Sequence, residues 1–257
     1  MALLSKPQLE RYDRNLKLKN YSKGDQERLL RSKVLVIGTG GLGSPILLYL
    51  AANGVGNISV VDSDSIELSN LQRQVIHDSE SIGKQKAKVA KARMEKLNPD
   101  VNVRAVDGRF NKSNARKIVA NHDMIVDASD NFATKFLVND ASVLEKKPFS
   151  IGSVLEYHGQ VSTFIPGKSP CYRCLFKQPP DGAIPTTAEV GVLGTVPGII
   201  GIIQATEVIK VLLGKGTPLL GRLLLMDVLD WDFQIIKFER AKNCPACGDR
   251  PVIKLKK

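Results

Sequence analysis

The sequence predicts an α/β protein built on a doubly wound sheet that continues into antiparallel strands. An apolar run at 34–37 leads into a glycine-rich loop, then a helical pattern that ends near residue 53, then a second apolar run at 58–61. Helical and strand-like patterns alternate as far as residue 148, which is typical of a parallel sheet with crossover helices. Later strand-like runs come in adjacent pairs, at 149–154, 157–164, 223–226 and 233–238.

The loop Gly38-Thr39-Gly40-Gly41-Leu42-Gly43 has the glycine spacing of a phosphate-binding turn. Gly38 permits the tight turn, Gly40 lets backbone amides approach a phosphate, and Gly43 lets the helix pack closely on the strand. The helix N-terminus then directs unpaired N–H groups at the anion. Asp62 ends the next strand, where a carboxylate can accept hydrogen bonds from ribose hydroxyls. This Rossmann-like unit predicts nucleotide binding and leaves the identity of the nucleotide open.

The chain has 257 residues, of which 43% are hydrophobic and 25% charged, so it can bury a sizeable core. We find no repeat and no interdomain linker, and we expect a single domain over 1–257. Within it we expect a helical arm at 1–31, a nucleotide-binding half at 32–148 and a second half at 149–257.

The sequence shows no pattern typical of a membrane span or of an export signal. No stretch of about 18 apolar residues is uninterrupted, and the first ten residues lack an apolar segment behind a basic start. A long apolar helix is expected at 196–213, buried in the core. We therefore expect a soluble cytoplasmic protein that does not enter a membrane.

The formal net charge of +11 favours anionic partners such as ATP or an acidic protein surface. The lysines and arginines are scattered along the chain, and only 5% of the residues are aromatic. A stacking surface for nucleic acid is therefore poorly supported.

Four cysteines form two Cys-x-x-Cys pairs, Cys171/Cys174 and Cys244/Cys247. Each short loop presents two thiolates to one point, so the two pairs together can surround Zn²⁺ tetrahedrally. Such a site would be a structural clip that ties the chain end to the middle of the fold, with no open position for catalysis. A redox pair or free thiols are the alternatives.

Two charged residues stand out by position. Lys86 lies on the apolar side of a helix predicted from Gly83 to Leu97, away from the face that three other lysines share. It is either functional or extends its ammonium group to solvent. Asp130 directly follows the strand at 124–127, where ligands bind in open parallel sheets, although Asp-Asn is also an ordinary N-cap.

The segment from Ser63 to Gln74 is too long and too structured for a plain strand-to-helix turn, and it contains Ser69-Asn70-Leu71-Gln72-Arg73-Gln74. On this segment the sequence resembles the adenylating enzymes related to ubiquitin activators. Within them it resembles the MoeB/ThiF/HesA group, nearest to the molybdopterin-synthase adenylyltransferases. The likeness extends to both cysteine pairs and to residues 11–14, 38–43, 61–66, 83–86, 127–131 and 188–192.

The resemblance implies transfer of an adenylyl group from ATP to the C-terminal Gly-Gly carboxylate of a small ubiquitin-like sulfur-carrier protein. Pyrophosphate would be released, the half at 149–257 would bind the carrier, and the pathway would be molybdenum cofactor or thiamin-thiazole biosynthesis. The implied nucleotide site comprises Gly38, Gly40, Gly41, Gly43, Asp62, Asp64, Asn70, Arg73, Lys86, Asp130 and Asn131.

Roles follow from the resemblance residue by residue. Asp62 would hold the ribose, and Arg73 and Lys86 the triphosphate. Asp130 would hold Mg²⁺, and Asn70 would help to orient the phosphates. The implied catalytic residues are Arg73, Lys86, Asp130 and Arg14.

Arg14 resembles an arginine that reaches the ATP of the neighbouring subunit, which implies a homodimer. The chemistry suits these residue types, because the attacking carboxylate is already ionised near neutral pH and needs no general base. The obstacle is the negative charge of both reactants, which positioned cations would offset.

The sequence departs from many relatives in one loop. Where they carry a cysteine available for a thioester or a disulfide, this chain has Thr186-Thr187. All four of its cysteines are already assigned to the zinc clip. We therefore expect the enzyme to stop at the acyl-adenylate and to pass it to a separate sulfur donor. Since the chain ends at Lys257, we expect no fused sulfurtransferase domain.

Other functions remain open at this point. Activation of a peptide or of a tRNA nucleoside would use the same adenylation chemistry. An NAD(P)-dependent oxidoreductase would use the same glycine loop, but it leaves Arg73 and the cysteine clip unexplained. A non-catalytic, zinc-stabilised binding module would use none of the nucleotide chemistry.

Overall fold

The computed structural model describes residues 4–106, 108–178 and 185–255. The strands of this part of the chain are β1 (Lys33–Ile37), β2 (Asn57–Val61), β3 (Asn102–Val106), β4 (Met124–Asp127), β5 (Phe149–Leu155), β6 (His158–Phe164), β7 (Arg222–Asp227) and β8 (Asp232–Lys237). They form one sheet in the order β3-β2-β1-β4-β5-β6-β7-β8.

The strand pairing confirms the predicted fold class. Neighbouring strands from β3 to β5 pair in parallel, whereas β5, β6, β7 and β8 pair antiparallel. Because the chain runs from β1 outward to β3 and then returns to β4 on the other side of β1, the direction of winding reverses between β1 and β4. Open α/β sheets bind ligands in the crevice at such a switch point.

The helices cover both faces of the sheet. They are α1 (Lys6–Arg11), α2 (Asp13–Leu16), α3 (Lys23–Arg31), α4 (Gly43–Ala52), α5 (Lys86–Leu97), α6 (Ala115–Ala120), α7 (Phe132–Leu144), α8 (Tyr172–Leu175), α9 (Thr187–Val190) and α10 (Thr195–Leu213). The core on one face contains α4, α5 and α10, and that on the other face contains α6 and α7. In β1, Val34 and Val36 contribute to the first core and Leu35 and Ile37 to the second, as the strand period of two requires.

The N-terminal arm, expected as one helical segment at 1–31, contains three short helices. Residues 1–3 of the arm lie outside the described part of the chain. The first helix ends because Tyr12 turns inward: its side chain is 1% exposed. The Tyr12 hydroxyl donates to Asp100 Oδ2 at 3.1 Å and accepts from Asn98 Nδ2 at 2.9 Å. These partners lie more than 80 residues along the chain, so local pattern gives no sign of them.

The helix predicted from Gly83 begins at Lys86 instead. Gly83 has φ +82° and donates its N–H to the carbonyl of Ile66 at 2.8 Å, and Ile66 donates in turn to the carbonyl of Lys84 at 3.0 Å. This pairing with the segment after Asp62 keeps residues 83–85 extended. The sequence pattern also predicts a helix at 113–120, and this helix starts later than predicted, at Ala115.

The long apolar helix α10 is buried, as predicted. By length and composition α10 could cross a membrane, since an 18-residue window of this helix has a mean hydropathy of 1.7. However, 56% of that window is buried inside the protein. Val196, Ile200 and Val208 are fully covered. We assign α10 to the core of the fold. The expected cytoplasmic location and the expected division at 31, 148 and 257 stay predictions.

Gly43 supports a test of the close packing between α4 and the strand before it. A Cβ at Gly43 would lie 2.1 Å from the carbonyl oxygen of Gly38, a backbone atom that cannot move aside. We expect Gly43→Ala to lower the free energy of unfolding by at least about 2 kcal/mol, in the upper range for overpacked sites. Urea unfolding monitored by circular dichroism measures this change.

Gly198→Ala is the matched control for this variant. Gly198 is also helical, in α10, but a Cβ there meets nothing within 4 Å. We expect the control to raise the free energy of unfolding by about 0.5–1 kcal/mol, because alanine loses less backbone entropy than glycine in a helix. Equal effects of the two variants would contradict this account of the loop.

Candidate functional site

A cavity of about 1100 Å³ opens outside the carboxyl ends of β1, β2 and β4 and continues across β5, β6 and β7. It therefore occupies the predicted switch point and extends over the antiparallel strands. Of the residues predicted for the nucleotide site, the cavity is lined by Gly38, Gly40, Gly41, Asp62, Asp64, Arg73, Lys86, Asp130 and Asn131. The structure thus brings most of the candidate residues together around one cavity.

The glycine loop closes against the loop that follows β4. Gly38 has φ +96°, and a Cβ there would lie 2.8 Å from the carbonyl oxygen of Ala128. At Gly40 the nearest protein atom to such a Cβ is Gln74 Nε2, at 3.7 Å. Gly38 is therefore required by the fold itself, whereas Gly40 keeps the wall of the cavity open.

Asp62 is held in place by the glycine loop. Its Oδ2 accepts hydrogen bonds from the Thr39 backbone N–H at 2.7 Å and from the Thr39 hydroxyl at 2.8 Å, and its Oδ1 accepts from the Asp64 N–H at 2.9 Å. Three donors fix the carboxylate at the mouth of the cavity. Carboxylates oriented in this way can accept further hydrogen bonds from a diol.

Lys86 is 7% exposed and is the first residue of α5. Its Nζ lies 3.7 Å from Asp64 Oδ2, and the Asp64 side chain is 63% exposed. A buried cation at a helix N-terminus is unfavourable for the fold, because the positive end of the helix dipole lies there. Arg93, which the sequence places on the same stripe, is exposed. The burial of Lys86 therefore sets it apart from the other cations of α5.

Arg73 adds a second cation to the cavity wall. Its Nη1 donates to the carbonyl of Ser69 at 3.1 Å, and its side-chain stem lies against Gly41. Arg73 and Lys86 together give this end of the cavity a positive wall suited to a polyanion.

Asp130 and Asn131 lie at the start of α7. The sequence left open whether Asp130 caps the helix or faces a ligand. Asn131 is the N-cap, because its Oδ1 accepts from the Thr134 N–H at 2.8 Å. Asp130 is exposed and lines the cavity. The helix is thus capped without Asp130, whose carboxylate is available for a ligand.

Three predicted residues lie outside the cavity lining. Gly43 packs behind the loop. Asn70 is 7% exposed, and its Oδ1 accepts from the Glu67 N–H at 3.2 Å, so its side chain caps a turn. Arg14 is on the surface, with its side chain 88% exposed and its Nη1 3.1 Å from Asp13 Oδ2. The roles of Asn70 and Arg14 stay predictions.

Lys135 also lines the cavity, and the sequence reasoning missed it. It is 3% exposed and pairs with Asp127, which is fully buried, at 2.8 Å. A usable signal was present: Lys135, Asn139 and Ser142 recur at helical spacing on one buried stripe of α7. The helical-face argument that singled out Lys86 applies equally to this helix.

His77 lies behind the glycine loop, and both of its ring nitrogens are buried. Burial lowers the pKa of this imidazole, and the Lys86 ammonium group lowers it further, against a backbone contact at Thr39 and the Asp62 carboxylate. His77 is therefore neutral at pH 7. It adds no charge to the wall, whose cations include Arg73, Lys86 and Arg109.

The four cysteine sulfurs lie within 4.8 Å of one another. The two pairs interleave, with 3.5 Å between the sulfurs of Cys171 and Cys244 and 3.4 Å between those of Cys174 and Cys247. Burial and the neighbouring sulfurs raise the pKa of Cys171, and burial raises the pKa of Cys247 to about 12. Four sulfurs packed this closely could hold a metal ion between them.

Comparison with known proteins agrees with this geometry. The ThiF family matches residues 12–246, nearly the whole chain. The chain belongs to the ThiF family.

The chain also covers most of the length of individual relatives. The chain is 48% identical over 253 residues to a sulfur carrier protein adenylyltransferase of Thermus thermophilus, covering 96% of this chain and 93% of the relative. It is 47% identical over 247 residues to the SAMP-activating enzyme E1 of Haloferax volcanii, with coverage of 96% and 91%. The structure of E. coli MccB with MccA-N7isoASN superposes with a TM-score of 0.84 at 25% identity, covering 96% of this chain and 76% of MccB.

Proposed function

We propose that this ThiF-family chain is an ATP-dependent adenylyltransferase that activates the C-terminal Gly-Gly carboxylate of a small ubiquitin-like sulfur-carrier protein. One observation carries the proposal: Asp62, Arg73, Lys86 and Asp130 line a single cavity that continues over the antiparallel strands. The cavity thus has room for a nucleotide at one end and for an extended peptide tail at the other. Two relatives that the chain covers over 93% and 91% of their length are a sulfur carrier protein adenylyltransferase and a SAMP-activating enzyme E1.

The residues at the nucleotide end have complementary roles in this proposal. Asp62, fixed by Thr39, accepts hydrogen bonds from the ribose hydroxyls. Arg73 and Lys86 bind the phosphates, with Asn70 holding the turn before Arg73 and the glycine loop offering backbone N–H groups. Asp130 would hold the Mg²⁺ that accompanies ATP, and that ion would offset charge on the phosphates.

The reaction joins two anions. An oxygen of the carrier carboxylate attacks the α-phosphorus of ATP, the bond to the bridging oxygen breaks, and pyrophosphate leaves with the electron pair. No proton moves, so a general base is unnecessary. The contribution of the protein is to hold the reactants in line and to place Arg73 and Lys86 where negative charge develops.

The carrier tail would enter over β5, β6 and β7. The cavity wall there includes Ser153, Val154, Gly159 and Gln160. Gly159 has no room for a side chain, because a Cβ would lie 2.4 Å from Ile200 Cγ1 of α10. Strand β5 pairs with β4 only as far as Ile151, so an extended Gly-Gly end would make main-chain hydrogen bonds along β5 beyond that residue and would need no side-chain pockets.

ATP–pyrophosphate exchange tests the function directly. We expect exchange that depends on one candidate carrier protein of the source organism, and we expect Lys86→Met to reduce it by about 10²-fold or more, the usual size of a lost electrostatic contact to the transition state. Lys88→Met is the matched control, since Lys88 lies two residues along the same helix and is exposed. Its exchange rate should equal that of the wild type.

If none of the candidate carrier proteins supports exchange, the proposal is overturned. Exchange supported by a peptide or a tRNA alone would select the alternative substrates, and the carrier that works would decide between the molybdenum cofactor and thiamin pathways. Binding of NADH, measured by nicotinamide fluorescence, is expected to be absent.

The product should leave the enzyme as the acyl-adenylate. Thr186 and Thr187 line the cavity, and all four cysteines of the chain belong to the sulfur cluster. A separate sulfur donor would therefore consume the adenylate. We expect no covalent adduct sensitive to dithiothreitol when enzyme, carrier and Mg-ATP are incubated together, as judged by non-reducing electrophoresis and mass spectrometry; such an adduct would contradict this step.

Arg14 supports a homodimer in this proposal. It is exposed on the arm and lies outside the cavity of its own chain, so its contribution to catalysis requires a second subunit. Sedimentation equilibrium should give twice the chain mass.

The metal of the cysteine cluster is, in this proposal, structural zinc. Zinc bound to four thiolates places sulfurs about 3.8 Å apart, which follows from tetrahedral bonds of about 2.3 Å. We expect one zinc per chain by elemental analysis, and we expect its removal with a thiol-modifying mercurial to lower the melting temperature. A zinc-free protein of unchanged stability would contradict the assignment.

A further inference from the structure

Lys135 lies in the wall between the two ends of the cavity, and no step of the proposed reaction uses it. Its Nζ donates to Asp127 Oδ2 at 2.8 Å, to the carbonyl of Ser129 at 2.7 Å and to the carbonyl of Gly152 at 2.7 Å. These contacts use all three donors of the ammonium group. The side chain is therefore fixed in one position.

Stability alone does not account for this arrangement. Lys135 stands in the first turn of α7, where the helix dipole disfavours a cation, and both members of its ion pair are buried. Buried ion pairs of this kind often stabilise a fold no better than apolar residues of similar volume. The energetic cost of burying Lys135 points to a role in placing its partners.

The partners of Lys135 belong to two different segments of the cavity wall. Ser129 immediately precedes Asp130, and it is held again by Asp127 Oδ1, which accepts from the Ser129 hydroxyl at 2.6 Å and from its N–H at 3.3 Å. Gly152 lies in β5 immediately before Ser153, which lines the peptide end of the cavity. One ammonium group thus joins the loop that carries Asp130 to the strand beside the tail.

We propose that Lys135 is a positioning residue for adenylyl transfer, which sets the separation between the Asp130 loop and β5. This inference rests on the proposed function for the identity of the two reactants. The Asp130 side holds the phosphates and the β5 side holds the incoming carboxylate. The length of the Lys135 bridge therefore fixes how closely the carboxylate oxygen and the α-phosphorus approach.

The test is Lys135→Met in carrier-dependent ATP–pyrophosphate exchange. We expect kcat to fall by about 10²-fold, the size of the effect of an error of about 1 Å in the placement of reactants. The KM for the carrier and the Kd for ATP without Mg²⁺ should stay within about threefold, since neither single substrate loses a contact. A loss of kcat no larger than that of the control below would overturn the inference.

Arg116→Met is the matched control for the loss of a partly buried, ion-paired cation beside α7. Arg116 pairs with Glu145, the C-cap of that helix, at 2.6 Å, far from the Asp130 loop. Removing it should lower the melting temperature while kcat stays within about threefold of the wild type, because the reactants keep their placement. A residue that only stabilised α7 would behave in the same way as Arg116.

A second variant and a second measurement keep the inference testable if Lys135→Met does not fold. Ser129→Ala removes one anchor of the same loop at a half-exposed side chain. We expect it to weaken the enhancement of ATP binding by Mg²⁺, measured by calorimetry as the ratio of Kd values with and without the ion. An unchanged ratio would count against the inference. This ratio needs no carrier, so failure of the proposed carrier function leaves it measurable.

Discussion

The contact between the loops that follow β1 and β4 is the constraint on which the site depends. The parallel register sets Ile37 opposite Asp127, and Gly38, with its positive φ, brings the two loops together without a side chain between them. Thr39 can then reach Asp62, and Asp127 can hold both Ser129 and Lys135. A wider turn at Gly38 would separate the glycine loop from Ser129 and Lys135.

The charges around the cavity are mixed in sign. Arg73 and Lys86 face a space that Asp62, Asp64 and Asp130 also line. A purely basic pocket would bind any polyanion, whereas alternating cations and carboxylates fit a ligand that combines phosphates, a diol and a divalent ion. In the proposed function, this arrangement favours a metal–nucleotide complex over free phosphate.

Local patterns were sufficient to predict the doubly wound sheet with its antiparallel continuation, the face of Lys86 and the meeting of the four cysteines. The first two follow from periods within single segments, and the third from two Cys-x-x-Cys spacings that suit one metal ion. Other long-range contacts were beyond such reasoning. Tyr12 ends α1 through partners near residue 100, Lys86 rather than Gly83 starts α5 because Ile66 pairs with the turn before it, and Lys135 bonds to Gly152 of another strand.

Helix α10 contacts both the glycine loop and the antiparallel strands, through a glycine and through apolar side chains. Pro197 packs on Gly41, Gly201 packs on the carbonyl of Leu42, and Ile200 fills the space beside Gly159. Gln204 donates to the carbonyl of Asp127 at 3.0 Å. The glycine loop and the strands β5 and β6 thus pack on one helix, which ties the two ends of the cavity together. A ligand that spans the cavity must therefore fit a frame that α10 sets, because a shift of this helix would move both walls at once.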